Sequence, residues 1–89
     1  MIITFFASFE DSKEEVTINL DDGLKVKEML PKILQGLDIS ESRYLEKYCF
    51  LYGIKNLNST RFLEKTLKEA GLQANRSVKV WDISHLNPT

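Results

Sequence analysis

One cysteine and one histidine stand in this 89-residue chain, with two prolines and four glycines, and each scarcity removes a class of chemistry. A lone Cys49 excludes an internal disulfide framework and fits a reducing compartment. One Cys and one His fall short of the three or four ligands of a zinc site, so no metal is assigned. The glycines stand singly at 23, 36, 53 and 71. None forms a phosphate-cradling loop, and no cofactor is assigned. No apolar run approaches the roughly 18 residues that span a bilayer, and the opening run Met1 to Phe6 lacks a basic leader. No secretory signal and no membrane insertion are therefore expected, and the expected location is cytoplasmic. In that compartment the Asn-x-Ser/Thr triplets at Asn58 and Asn75 are coincidences. A net charge of -1 provides no global attraction to nucleic acid or to anionic lipid.

Catalysis finds no carrier in this inventory. A Cys–His nucleophilic pair needs its members within hydrogen-bond reach, whereas Cys49 is expected inward on a strand and His85 on a flexible tail at 85–89. No catalytic residue is assigned, and the chain is read as not an enzyme. A Cys49-dependent hydrolase is the most distant alternative.

What is present is the material of an ordinary globular domain, with 43% hydrophobic and 28% charged residues. A chain of this length buries roughly 60 to 65% of its unfolded surface, enough for one core without staples. A single domain over 1–84 is expected. In IITFFASF, residues 2 to 9, Ile3, Phe5, Ala7 and Phe9 take the core side and leave Ile2 and Phe6 outward. In EEVTINL, residues 14 to 20, Val16, Ile18 and Leu20 alternate with polar residues, so the two runs read as an antiparallel hairpin.

Asp21, Asp22 and Gly23 punctuate the chain before KVKEMLPKILQG. There Val26, Met29 or Leu30, and Ile33 fall at helical spacing, and Gly36 is placed as the C-cap. Pro31 conflicts with a helix beginning near Lys25, because an interior proline removes a backbone bond at about 3 kcal/mol. The expectation is a kink; the alternative is a late start with Val26 in an extended lead-in. Ser40 is placed as cap of a brief helical turn over residues 41 to 45. YCFLYG, residues 48 to 53, reads as a strand and IKNLNST as turn. RFLEK, residues 61 to 65, fits a short strand or the start of a helix capped by Ser59 or Thr60, with the strand preferred. Thr66 caps a turn ending at Gly71, and SVKVWDIS is the last strand, with Val78 and Val80 opposite Lys79 and Trp81.

Elements in the order ββαββ(α)β resemble the ubiquitin-like β-grasp superfamily over nearly the whole chain. The resemblance rests on Val26, Met29 and Ile33 in the helix, Phe50, Leu51 and Gly53 in the third strand, and Thr66, Leu67, Gly71 and Leu72 in the final turn. It implies an α+β fold, a mixed four- to five-stranded sheet on one main helix, with Ile3 or Phe5 paired to Val78 or Val80 across a parallel ladder. Within the superfamily the form resembles Ras-association and FERM-type modules such as those of talins, kindlins and the N-terminal domain of ELMO adaptors. DGLKVKEMLPKILQGLDIS is similar, more weakly, to the YukD and EsaB proteins of type VII secretion. A ubiquitin-type modifier ends in Gly-Gly, so that its carboxylate is unhindered for adenylation. HLNPT lacks that pair, and conjugation is not expected.

Two surfaces follow as candidates for a protein partner. If Cys49 and Leu51 face the core, alternation sends Tyr48, Phe50 and Tyr52 to the outer face of the sheet, where the resemblance places Phe6 and Trp81 beside them, flanked by Lys79. An aromatic stripe of this kind marks an interface. The rival is the hairpin edge, where Ras-association modules pair a strand with a small GTPase and present basic residues. Here the candidates are Lys13, Lys25 and Lys27, set against Glu14 and Glu15 of the wrong sign. The reading is a non-enzymatic adaptor or scaffold domain, its partner a signalling, cytoskeletal or small GTPase protein. The alternative is a YukD-like component of a secretion machine.

Overall fold

Alternation in VTINLD and near-alternation in IITFFASF produce β2 (Val16–Asp21) and β1 (Ile2–Phe9) in a computed structural model that describes residues 1–84. The two strands pair antiparallel, with Phe5 opposite Ile18 and Ala7 opposite Val16. Phe5, Ala7, Ile18 and Leu20 are buried, while Ile3, Phe9 and Val16 pack against the core from its margin. The hairpin facing expected from the residues is the facing found. The tail expected at 85–89, with His85, lies outside the described residues.

Helix α1 (Val26–Gly36) buries Val26, Met29, Leu30, Ile33 and Leu34, the stripe that a period of 3.6 requires. It starts at Val26 and runs unbroken through Pro31, so the extended lead-in is not adopted. Pro31 stands on the exposed side, where its missing N–H leaves the Lys27 carbonyl without its helical donor. Gly36 is not the left-handed cap: it closes the helix, and the positive φ of 65° belongs to Asp38. Its small size serves packing instead, since a Cβ there would meet Ile18 Cδ1 at 3.2 Å.

Between helix and third strand, the expected Ser40 cap is replaced by a later turn. α2 (Tyr44–Lys47) has Arg43 at its N-cap, and the Glu41 carboxylate accepts the Arg43 N–H at 3.0 Å while pairing with Lys47 at 3.1 Å. β3 (Tyr48–Tyr52) turns through Gly53 at φ 61°, a first central position that suits glycine, into β4 (Lys55–Asn56). The segment read as turn thus contains a short strand, followed by the buried Leu57. The preferred strand at 61–65 is likewise a turn of helix, α3 (Thr60–Leu63), whose cap Ser59 accepts the Arg61 N–H at 3.3 Å. Its adjacent apolar residues Phe62 and Leu63 suit one helical turn better than a strand face, which needs every second position.

The turn at 66–71 is closed by a reciprocal capping box. Thr66 Oγ1 accepts the Glu69 N–H at 3.1 Å, and Glu69 Oε1 accepts the Thr66 N–H at 2.9 Å. That backbone donor, with the Thr66 hydroxyl second, holds the Glu69 carboxyl below its usual range. Gly71 takes φ 80°, and Leu67 and Leu72 are buried on either side of the bend. The same segment ties back to the start of α1: the Val26 N–H donates to Lys65 O at 2.8 Å and the Leu67 N–H to Leu24 O at 2.9 Å.

β5 (Arg76–Asp82) enters between β1 and β3, completing the order β2-β1-β5-β3-β4. It runs parallel to β1 and antiparallel to β3. The parallel pairing is as expected but the register is not: Val78 lies opposite Ala7 and Val80 opposite Phe9, rather than Ile3 or Phe5. The Asn75 N–H, donating to Thr4 O at 2.6 Å from a residue at φ 65°, sets where the ladder begins. All of these elements enclose one core. Leu67 sits at its floor, fully buried, so Leu67→Ala is expected to cost about 2 to 5 kcal/mol. Urea unfolding checks this, as a lowered midpoint with an unchanged slope.

Candidate protein interface on the sheet

Facing across the sheet is decided by β5. Val78 and Val80 are fully buried, so Ser77, Lys79 and Trp81 must face the other way. Residues opposite one another in a ladder share a face. Phe50 is opposite Val80 and therefore inward, whereas Cys49, opposite Trp81, and Leu51, opposite Lys79, are outward. This reverses the expected facing of β3. Phe50 is 0% exposed and belongs to the core, with the Tyr44 ring edge-on at 6.5 Å.

Tyr48 and Tyr52 follow Phe50 to the inner side, where both pack on the core margin. The Tyr48 ring meets Phe9 edge-on at 6.2 Å, and the Tyr52 hydroxyl accepts the Gln73 N–H at 2.9 Å. The physical reason is volume and partner: YCFLY is apolar on both parities, so alternation alone cannot choose. The buried Val80 selects the phase that places a phenylalanine, not a cysteine, in the core against Tyr44 of α2.

Of the expected stripe, Phe6, Lys79 and Trp81 keep the outer face, and Cys49 and Leu51 join them. The missing signal was the pairing of Cys49 with Trp81, which no single-strand pattern contains. In the ladders Ser8 lies beside Lys79, Lys79 beside Leu51, and Phe6 beside Ser77, so the group is contiguous over three strands. Phe6, Cys49, Leu51, Lys79 and Trp81 are each half-buried and Ser8 is buried. The helices lie on the other side: α1 supplies the core stripe, α2 sets Tyr44 against Phe50, and α3 contacts α1. Among the described residues no element covers the outer face.

The lysines of the rival surface are not brought together. Lys13 precedes β2 and Lys25 follows it, which puts a six-residue strand, about 20 Å, between them. Lys25 and Lys27 both pair with Glu64, at 3.5 and 3.0 Å, and the Lys27 hydrogen bond is the main reason that carboxyl lies below its usual range. β2 is nevertheless an open edge. The Asp22 N–H donates to Met1 O, which sets the phase of the ladder, so Thr17, Asn19 and Asp21 turn their backbone groups away from β1.

Burial pushes the Cys49 thiol up from its ordinary value, making thiolate scarcer at neutral pH. Among the described residues no three His, Cys, Asp or Glu side chains gather as a metal site. Asn58, in one of the glycosylation-like triplets, spends its amide Nδ2 on the carbonyls of Leu45 and Tyr48, at 2.7 and 2.9 Å. No described helix is long and apolar enough to cross a membrane.

The corrected facing makes two expectations. Phe50→Ala is expected to lose about 3 to 5 kcal/mol of stability in urea unfolding, while Cys49→Ser changes it far less. Alkylation of Cys49 by iodoacetamide is expected to follow a pH profile whose inflection lies above that of the urea-unfolded chain. An inflection at or below it would contradict the desolvated thiol.

Comparison with known proteins agrees on architecture. No family profile matches the sequence, and no curated protein does. Solved structures match instead. The ubiquitin-like domain of an Arabidopsis thaliana protein superposes with a TM-score of 0.71 at 16% identity, covering 99% of this chain and 84% of that one. The ubiquitin-like domain from tubulin-binding cofactor B reaches 0.66 at 10% identity, covering 99% and 97%. A chain from a structure described by the words molecular mimicry of SUMO promotes DNA repair reaches 0.67 at 16%, covering 89% of each chain. At these identities the likeness is one of fold, and the fold of this chain is the ubiquitin-like β-grasp.

Proposed function

We propose that this chain is a non-enzymatic protein-interaction domain of adaptor or scaffold type, acting in the cytoplasm, that meets its partner through the outer face of the sheet. One observation carries the reading: Phe6, Leu51 and Trp81 stand half-exposed on the outer face of three adjacent strands, and among the described residues no element lies above them. Apolar and aromatic side chains in that position lose contact with water when a partner docks, and aromatic residues near an interface centre carry a large share of its energy. Lys79, in the same face, suits a partner whose apolar surface carries a carboxylate.

A second reading is strand addition at β2 by a Ras-type small GTPase, the partner implied by a Ras-association or FERM-like module. The open edge at Thr17, Asn19 and Asp21 favours it. The dispersed lysines, two of them held by Glu64, do not supply the basic arc that such a partner requires. A YukD-like component of a secretion machine would use the same outer face for assembly.

Affinity capture from the source cell with the wild-type chain supplies the partner, and titration of variants tests the face. Trp81→Ala is expected to weaken binding by about 2 kcal/mol or more, roughly thirtyfold, without loss of circular dichroism. Phe6→Ala is expected to act in the same direction. Should both be silent while Thr17→Pro and Lys13→Glu abolish binding, the hairpin edge is the interface and the outer-face reading fails.

A further inference from the structure

The charges of this nearly neutral chain are not evenly spread. Lys25, Lys27, Lys55, Arg61, Lys65 and Lys68 gather on the surface built from the start of α1, β4, α3 and the turn at 66–71, whose segments hold three carboxylates, Glu28, Glu64 and Glu69. The rest of the chain carries six cations against ten carboxylates. Contacts establish that the cluster is one surface. Lys55 Nζ and Arg61 Cζ each stand 5.9 Å from the centre of the Phe62 ring. Glu64, two residues further on, binds both Lys25 and Lys27. Lys65 lies close enough to help lower the Glu69 carboxyl, whose oxygen is already engaged by Thr66.

Two of the three local carboxylates are thus committed, Glu64 to two lysines and Glu69 to the capping box, and Glu28 stands at the α1 end beside Lys25 and Lys27, away from α3. Arg61, Lys65 and Lys68 are exposed and have no ion pair among the described residues closer than 4 Å. Phe62 and Leu63 stand half-exposed between the cations, and the ring holds the Lys55 and Arg61 heads in place by cation–π attraction. We infer that this basic face is a second docking surface, separate from the outer face of the sheet, and that it takes an acidic polypeptide segment with an apolar residue among its carboxylates. Charge complementarity argues for the occupant, and the surroundings argue for its size. Asp21 and Asp22, with the Met1 amine held against them, border the cluster at Lys68, whose N–H donates to Asp22 O at 3.1 Å. An extended polyanion or a flat anionic bilayer would be pressed onto that acidic ground, whereas a short acidic peptide ends before reaching it.

Fluorescence polarisation with a fluorescein-labelled peptide of alternating Glu and Leu tests the surface, using the whole chain. Binding is expected to weaken as salt rises, and Arg61→Glu/Lys65→Glu is expected to weaken it about tenfold or more at low salt. The charge-neutral pair Arg61→Gln/Lys65→Gln should fall between, and thermal unfolding confirms that these exposed changes leave the domain folded. Trp81→Ala is expected to leave peptide affinity unchanged, so that failure here and failure of the outer-face reading are separable. Three results overturn the inference: no binding of the peptide, the same affinity in the reversal variant, or tighter binding of labelled oligodeoxythymidine or phosphatidylserine vesicles than of the peptide. A loss of peptide binding in Trp81→Ala would likewise overturn it, by moving the site to the sheet.

Discussion

The parity of β5 is the constraint on which the rest of this structure depends. Val78 and Val80 are drawn into the core from the middle of the sheet, and each neighbouring strand must then match them side for side. On one flank this sets Ala7 and Phe9 inward and Phe6 outward; on the other it sets Phe50 inward and Cys49 outward. The pairing joins residues near the two ends of the described chain, a contact of long sequence separation whose loop-closure cost is repaid only by many residues locking at once. The core and the outer face are therefore two consequences of a single register, and a slip of one residue in β5 would exchange them.

Much of this was legible in the residues. The hairpin, the stripe of α1 and the Thr66 to Leu72 turn were readable because each carries a period or a cap within its own segment. The errors fall where a segment carries no such internal signal. YCFLY has apolar residues at every position, so only its neighbour in the sheet could choose its face. A glycine at a helix end usually marks a left-handed cap, whereas Gly36 ends the helix itself, where a Cβ would press closely on Ile18. β4 and the buried Leu57 were invisible because a two-residue strand has no periodicity, and the Asn56 side chain that holds the bend accepts N–H bonds from Phe50 and Asn58 across it. The candidate interface inherits these limits: Phe6, Lys79 and Trp81 were placed from their own strands, while Cys49 and Leu51 needed the ladder.

The division between what the fold demands and what it leaves open has a physical basis. Inward positions are constrained by volume, since the core must fill without voids, and their residues report the architecture. Outward positions on the sheet need only β-propensity, for which threonine serves as well as tryptophan and exposes far less apolar surface. Phe6, Leu51 and Trp81 exceed that need. Under the proposal above a docked partner would cover them, and the fold, shared with structures at 10 to 16% identity, does not by itself name that partner.

The crossing segment from β4 to β5 shows the same logic in its charges. Its backbone is committed to structure: Lys65 O accepts from Val26, Leu67 N–H donates to Leu24 O, and Lys68 N–H donates to Asp22 O. The side chains of those residues divide by direction, Leu67 into the core and Lys65 and Lys68 into solvent. Nothing in the backbone contacts requires lysine there, and clustering like charges costs free energy by repulsion unless counter-charges are near. Glu64 and Glu69 offset part of that cost, for Lys25 and Lys27 most directly. Glu28, Asp21 and Asp22 border the cluster on the side of α1 and β2, whereas the surplus at Arg61 lies beside a half-exposed phenylalanine, where dissolved ions offset it and, under the proposal above, the acid of a partner would replace them.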